Sequence, residues 1–317
     1  MRAWLSGERG PLLNLDLLTY AGSPERLAQV EEDPRYDFRR GDISDPAVVA
    51  EAFRQAVPEL VVHFAAESHV TRSEKDPERF HRTNVEGTRV MLEAAASAGV
   101  RRFVHISTDE VYGPILEDAF LEEDKMPGEG AATSPYARSK ALADDLALGF
   151  DGVLEVVVVR PTNAFGPWQY PEKAFPRWTV RGLRGQDLLV WGDGLYVRQW
   201  LFAADLAAAV LLILEADEPE PVYNVGPRHE PEITNLDLVR WLANHLGLPP
   251  ERIVHTAYDR PDHDRRYAVD PSRIEGLGWK PGDPWDRFAE TVKWYRANRD
   301  WWEPRLPEAE SIYEDEP

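Results

Sequence analysis

Four short apolar runs, each closed by small or polar residues, limit this chain to one broad architecture. They are Leu60-Val61-Val62-His63-Phe64-Ala65-Ala66, Phe103-Val104-His105-Ile106, Val156 to Val159 and Val222-Tyr223-Asn224-Val225-Gly226. Runs of this length fit strands covered on both faces, as in a parallel sheet. The segments 46–56, 77–98, 135–148 and 201–216 carry helical periodicity, and Ser134 and Pro135 make a helix start at N-cap and N1. Tyr36 to Asp42 alternates as an earlier strand, and 24–32 reads as a short helix. Strand and helix in regular alternation predict an α/β fold, a doubly wound parallel sheet. From Asn163 onward Pro, Gly and Trp become frequent, and 235–246 and 285–298 read as amphipathic helices of a smaller C-terminal part. Residues 305–317 are acidic and Pro-containing and read as a loose tail.

The amino terminus breaks the pattern. Ala3-Trp4-Leu5 reads as a short strand, and Gly7 and Gly10 keep a G-x-x-G spacing. A glycine-rich turn after a first strand cradles pyrophosphate at the next helix's N-terminus. No helix pattern follows. Pro11-Leu12-Leu13-Asn14-Leu15-Asp16 comes at once and reads as a strand ending in an acid suited to ribose hydroxyls. A complete fingerprint puts that acid ~20 residues past the glycines, whereas Asp16 lies 6 past Gly10. Parallel neighbours need a crossover of about a dozen residues, so the first β-α unit is incomplete.

Composition narrows the function. A net charge of −20 excludes nucleic acid as a natural partner, because its phosphates would be repelled. The absence of cysteine excludes disulfides and thiolate chemistry and fits a cytoplasmic setting. No apolar run approaches the ~18 residues of a membrane span, and no signal-peptide pattern opens the chain. No pair of histidines has a metal-ligand spacing, so no metal is expected.

Chemistry concentrates in Ser107-Thr108-Asp109-Glu110-Val111-Tyr112-Gly113 and Tyr136-Ala137-Arg138-Ser139-Lys140. The first run follows an apolar strand, and open α/β sheets place their sites at strand carboxyl ends. In the second, Tyr136 and Lys140 are i and i+4 and share a helix face. A positive charge near a phenol favours the phenolate, which makes the pair a general base. Asp109 and Glu110 add two carboxyl groups, suited to acid and base roles.

These residues resemble the extended short-chain dehydrogenase/reductases, and among them the dTDP-glucose 4,6-dehydratases, from about Asn14 to Trp302. The resemblance rests on Asn14 to Gly22, Phe64-Ala65-Ala66-Glu67-Ser68-His69-Val70, Thr83-Asn84-Val85 with Gly87-Thr88, and His105 to Gly113. It continues through Ser134-Pro135-Tyr136 with Lys140, Tyr170-Pro171-Glu172-Lys173, Gly192-Asp193-Gly194, and Arg260-Pro261 with His263 to Ala268. It implies a Rossmann-like NAD-binding domain of residues 1–162 plus about 197–226, and a nucleotide-sugar-binding domain of 163–196 and 227–304. Tyr136 would take the 4-hydroxyl proton as hydride leaves for NAD, Lys140 would lower the Tyr136 pKa, and Thr108 would hydrogen-bond the C4 oxygen. Glu110 would remove the C5 proton, and protonated Asp109 would supply the departing 6-hydroxyl. NAD contacts would come from Gly7, Gly10, Asp16, Thr19, Asp42, Ile43, Ala65, Ala66, Tyr136 and Lys140. Ser68, His69, Asn163, Glu172, Lys173, Arg198, Asn224, Arg260, His263 and Tyr267 would hold the nucleotide sugar. A homodimer through the 77–98 and 135–148 helices is also implied.

The chain departs from the family pattern at Thr71, where an aspartate is usual, at Pro161, Ala164 and Phe165, and at Tyr196 and Gln199 beside Arg198. The alternatives are a nucleotide-sugar epimerase, a UDP- or CDP-sugar 4,6-dehydratase, and a binding subunit without cofactor. A chain freed from catalysis would be expected to lose Asp109, Glu110, Tyr136 or Lys140, and all four are present.

Overall fold

The computed structural model describes residues 1–113, 132–152, 154–257 and 265–313. Its strands are β1 (Leu12–Asp16), β2 (Tyr36–Arg40), β3 (Leu60–His63), β4 (Arg102–Ile106), β5 (Glu155–Pro161), β6 (Asn163–Phe165), β7 (Leu188–Trp191), β8 (Trp200–Phe202), β9 (Val222–Val225) and β10 (Ile253–Thr256). The central sheet runs β3-β4-β5-β9, all parallel. Both faces are covered because side chains alternate along each strand. Phe103 and Val158 point to one face, where the helices Pro46–Ala56 and Gly87–Ser97 supply Val49, Phe53, Leu92 and Ala95. Val104, Val157 and Val159 point to the other, against Leu206, Val210 and Ile213 of the helix Ala203–Glu215. This is the doubly wound arrangement.

The smaller part is built around Phe165, Phe175, Trp200, Leu238 and Phe288, with the two-stranded sheets β6-β8 and β7-β10 beside it. Its helices Asn235–Leu246 and Pro284–Ala297 start within one residue of the sequence expectation, each on a side-chain cap from Thr234 or Asp283.

The incomplete first unit has a visible consequence. β1 and β2 form a two-stranded parallel sheet of their own, and among the described residues no strand pairs with β3 on the side away from β4. Not one residue of β1 is fully buried. Leu17 and Phe38 are 39% exposed and Phe64 is 53% exposed. Residues 2–5 form a helical turn rather than the strand expected from Ala3-Trp4-Leu5. With no neighbouring strand to pair with, the segment closes its own backbone bonds, Leu5 N–H to Met1 O and Ser6 N–H to Arg2 O. Trp4 is partly buried against the core cluster that holds Val104, Val157 and Ile213.

Two further expectations are corrected. The 24–32 helix is only a 3-10 turn at Pro24–Leu27, since the segment buries none of those side chains to reward a longer helix. The acidic stretch after residue 304 is not loose as far as Tyr313. Leu306–Ser311 is a helix whose Leu306 packs with Val180, Tyr295 and Trp302, and Ala309 and Ile312 are also buried. Leu306→Ala is therefore expected to cost roughly 2–5 kcal/mol, read as a lowered denaturant midpoint in urea unfolding, whereas a loose tail would leave the midpoint unchanged.

Candidate active site

The site is assembled at the carboxyl end of β4. After Ile106 the backbone stays extended through Thr108 (φ −158°, ψ 155°), then tightens into a 3-10 turn at Asp109–Tyr112. Thr108 caps that turn, its Oγ1 accepting from Glu110 N–H at 3.3 Å and donating to Asp109 Oδ1 at 3.1 Å. Asp109 is buried, and burial together with the neighbouring Glu110 charge pushes its pKa up to about 7, while Arg198 pulls the other way. Arg198, from the loop before β8, therefore faces the same site as the Thr-Asp-Glu run.

Tyr136 and Lys140 come from the helix Pro135–Leu148. Ser134 caps its N-terminus by accepting from Ala137 N–H at 3.0 Å, and Pro135 fills N1. Both side chains lie on the buried face. Lys140 Nζ donates to Ile106 O at 2.8 Å and lies 3.4 Å from His105 Nε2, so the ammonium is anchored to the end of β4. The electrostatics reverse one expectation. Tyr136 is pushed up from the ordinary tyrosine value, first by burial and then by Glu110, with a Thr108 hydrogen bond partly opposing this. Lys140 is itself lowered to about 8 by burial. In this arrangement burial, with the Glu110 and Asp109 charges added to it, favours the protonated phenol of Tyr136.

The proposed substrate residues fall into two groups. Lys173 Nζ donates to Ser68 O at 2.7 Å, and Glu172 receives Tyr20 Oη at 2.8 Å and Arg72 Nε at 3.2 Å. His69 Nε2 lies 3.3 Å from Tyr313 Oη, which also donates to Glu172 O. Ser68, His69, Glu172 and Lys173 thus form one cluster. Arg198 is the second centre, its guanidinium 4.6 Å from the Tyr267 ring. Asn163 Oδ1 is buried without a hydrogen-bond partner among the described residues. Asn224 is fully buried and receives Tyr112 Oη at 2.8 Å, which sets it behind the acid run rather than at an open surface. Arg260 and His263 lie outside the described residues.

The residues expected to hold a cofactor divide by sheet edge. Asp16 ends β1, and Asp42 follows β2 two residues after its end; Gly41 N–H donates to Asp16 O at 3.1 Å, so the two acids adjoin at the carboxyl edge. Asp16 Oδ1 holds Leu18 N–H at 2.7 Å, and Asp42 Oδ1 holds Ser44 N–H at 2.8 Å. Thr19 O caps the turn to Gly22, and Ile43 is buried against Gly87. Ala65 is half-buried and Ala66 exposed just past β3. Gly7 and Gly10 do not join them. Gly10 precedes the first residue of β1, and Arg35, just before β2, donates to Gly7 O at 2.7 Å. Both glycines therefore sit at the amino edge, a strand length (five residues, about 16 Å) from Asp16. A G-x-x-G spacing carries no information about which edge it occupies. The residues present fit the two ends of a dinucleotide; among the described residues no glycine turn with a following helix fits its middle.

Several residues of the site were not singled out from the sequence. Asn84 sits in a π-helical turn, His81–Glu86, a wider turn that often marks functional sites. Its amide accepts from Glu67 N–H at 2.9 Å and donates to Glu67 O and Ser139 Oγ, pinning the Glu67–His69 loop to the Tyr136 helix. The Thr83-Asn84-Val85 motif was its only signal. Arg72, Arg177 and Tyr313 had none: their pairings cross 100 residues or more.

A doubly wound sheet with a buried Tyr-Lys pair and a Thr-Asp-Glu run at its carboxyl edge defines a class, the Rossmann-type enzymes that work by proton and hydride transfer. The chain belongs to the NAD-dependent epimerase/dehydratase family, whose profile matches residues 2–226. It is 43% identical to a dTDP-glucose 4,6-dehydratase of Streptomyces niveus over 96% of this chain and 89% of the relative. It is 36% identical to dTDP-glucose 4,6-dehydratase 1 of Escherichia coli K12, over 95% and 90%. Among solved structures it resembles DesIV, a dTDP-glucose 4,6-dehydratase from Streptomyces venezuelae with NAD and TYD bound, at 40% identity and a TM-score of 0.89, covering 96% and 92% of the two chains.

Proposed function

We infer that this chain is a dTDP-glucose 4,6-dehydratase using NAD. The observation that carries the reading is the Thr108-Asp109-Glu110 run facing Tyr136, with Thr108 and Asp109 buried, Glu110 half-buried and the Asp109 pKa raised to about 7. Removing water across C5–C6 of a hexose needs an acidic C5 proton, which a C4 ketone provides. Bound NAD supplies the hydride acceptor for C4 and the hydride donor for C6. Tyr136 takes the 4-hydroxyl proton, with Thr108 on the same oxygen. Glu110 removes the C5 proton, and Asp109, protonated in part at neutral pH, gives its proton to the departing 6-hydroxyl. Asp16 and Asp42, adjoining at the carboxyl edge, take the adenosine end of the cofactor in this reading. Ser68, His69, Glu172 and Lys173 form one wall for the nucleotide sugar, with Arg198, Asn163 and Tyr267 as the other. The test is incubation of purified protein with NAD and dTDP-[4-2H]glucose, followed by mass spectrometry and NMR. A product lighter by one water with deuterium at C6 is expected; epimerised sugar, or equal turnover of UDP- and dTDP-glucose, would overturn the reading.

The enzyme works as a cytoplasmic homodimer in this proposal. Support for the contact lies on the Pro135–Leu148 helix, where Leu142 is 47% exposed beside half-buried Ala141 and Leu146. The small and apolar residues Val85, Gly87, Val90, Ala137 and Ala143 do not contribute to such a contact, since the protomer itself buries them. The helix Gly87–Ser97 turns Arg89 and Glu93 outward. Light scattering should give twice the protomer mass, and Leu142→Glu should shift it to the monomer; a parent that is already monomeric at micromolar concentration would sink the dimer.

A further inference from the structure

Behind the reacting groups lies a chain of buried polar side chains that the mechanism above does not use. Tyr136, Lys140 and Asp144 follow at i, i+4 and i+8 on one face of a helix, and all three are buried. Asp144 Oδ2 accepts from Arg160 Nε at 2.9 Å, and its Oδ1 lies 3.6 Å from His105 Nε2, the nitrogen that is 3.4 Å from Lys140 Nζ. Arg160, on β5, is fixed in turn. It donates to Tyr112 Oη at 2.9 Å and lies over the Tyr112 ring at 4.7 Å, while Tyr112 donates to Asn224. A buried ion pair tied into both the central sheet and the acid turn is a costly feature, and hydrophobic replacements would often serve stability as well.

We propose that Asp144, held by Arg160, is a positioning residue for Lys140: it supplies the carboxylate that keeps the lysine an ammonium in the dry interior beside Tyr136. The other groups facing Lys140 cannot do this. His105 on β4 and His63 on β3 are both held neutral by burial and by the Lys140 charge. His63 is further occupied with Thr88 Oγ1 at 3.0 Å. Asp109 and Glu110 act on Tyr136 from the turn after β4, and Arg160 is itself a cation. Against burial, which pulls Lys140 down to about 8, Asp144 is the opposing influence. Arg160 in turn opposes the burial that would protonate Asp144.

The proposal rests on the role assigned to the Tyr136–Lys140 pair, but its test separates the two. The chain holds only six lysines, so the Lys140 ammonium can be followed by 15N NMR of ligand-free protein and assigned through Lys140→Arg. An opposite charge at close range moves a pKa by about 1–3 units. In Asp144→Asn the Lys140 titration is expected to move roughly one unit or more to lower pH. The alkaline limb of NADH formation with dTDP-glucose should move with it, and activity should recover partly on the acid side. Asp144→Glu should keep both near the parent. Asp144→Asn/Arg160→Gln removes both charges and leaves no uncompensated ion, so it gives the same acid shift should the single variant unfold. A Lys140 titration unmoved in the carboxamide variants overturns the proposal, as does a loss of rate by one factor at every pH. Unfolding of all three variants would also overturn it, by assigning the pair to folding alone. A shifted titration without NADH formation would leave Asp144 in this role and refute the dehydratase reading instead.

Discussion

Tyr136→Phe is expected to abolish NADH formation from dTDP-glucose, a loss of about 100- to 10,000-fold or more for a missing proton acceptor. Glu110→Gln and Asp109→Asn should behave differently. Both leave Tyr136 in place, so C4 oxidation proceeds while elimination stalls, and enzyme-bound NADH accumulates in a single turnover. The carboxamides also remove charges that hold Tyr136 up, so the oxidation step should gain ground in Glu110→Gln, the larger of the two influences. The elimination step has its own pH signature. Asp109 is raised to about 7, so the protonated acid is available below that pH and is lost as pH rises through it. Stopped-flow absorbance across pH 6–9 reads both steps. Equal loss of NADH in all three variants would contradict the division of roles.

Insertion of a Gly-x-x-Gly-x-x-Gly turn and an amphipathic helix between Gly10 and Pro11 should raise both the thermal midpoint and NAD affinity. The exposed Leu17, Phe38 and Phe64 and the half-covered β1 show the cost of the incomplete first unit. Covering a large apolar side chain is worth about 1.5–3 kcal/mol when complete, so three half-exposed ones amount to roughly 2–4 kcal/mol. The cofactor gains separately. A pyrophosphate at a helix N-terminus gains free N–H donors and a dipole contribution of about 0.3–1 kcal/mol per charge. Calorimetry would measure both. If the parent already retains one NAD per subunit through purification and the insertion adds nothing, residues near Asp16 and Asp42 hold the pyrophosphate by themselves.

The parts legible in the sequence were those whose signals are local. The Ser134-Pro135 start placed the Tyr136 helix to the residue, and the apolar runs placed β3, β4, β5 and β9. Trp4 misled because three apolar residues suit a strand or a helical turn equally, and only the absent neighbour strand decides. Leu306, Ala309 and Ile312 recur at a helical interval, but Pro307 and the acids Glu308 and Glu310 between them hid it. The glycine pair failed because spacing does not say at which sheet edge a turn lies. The Asp144–Arg160 pair and the Tyr313 contacts were not legible at all, since each joins elements that only the folded chain brings together.

Tyr313 also bears on how the molecule can be handled. Its hydroxyl meets His69 and the Glu172 backbone, its ring lies 3.6 Å under the Arg177 guanidinium, and Trp191 stands beside it. An affinity tag or surface linker fused at the carboxyl end therefore follows a tyrosine that lies against His69 and Glu172, two of the residues proposed above to hold the nucleotide sugar. Met1 and Gly10 lie at the other edge of the sheet, with Trp4 bonded to Gly10 O at 2.8 Å. Immobilising the protein by its amino end would keep the tether off the His69 and Glu172 cluster, whereas a carboxyl-terminal tether would begin close to it.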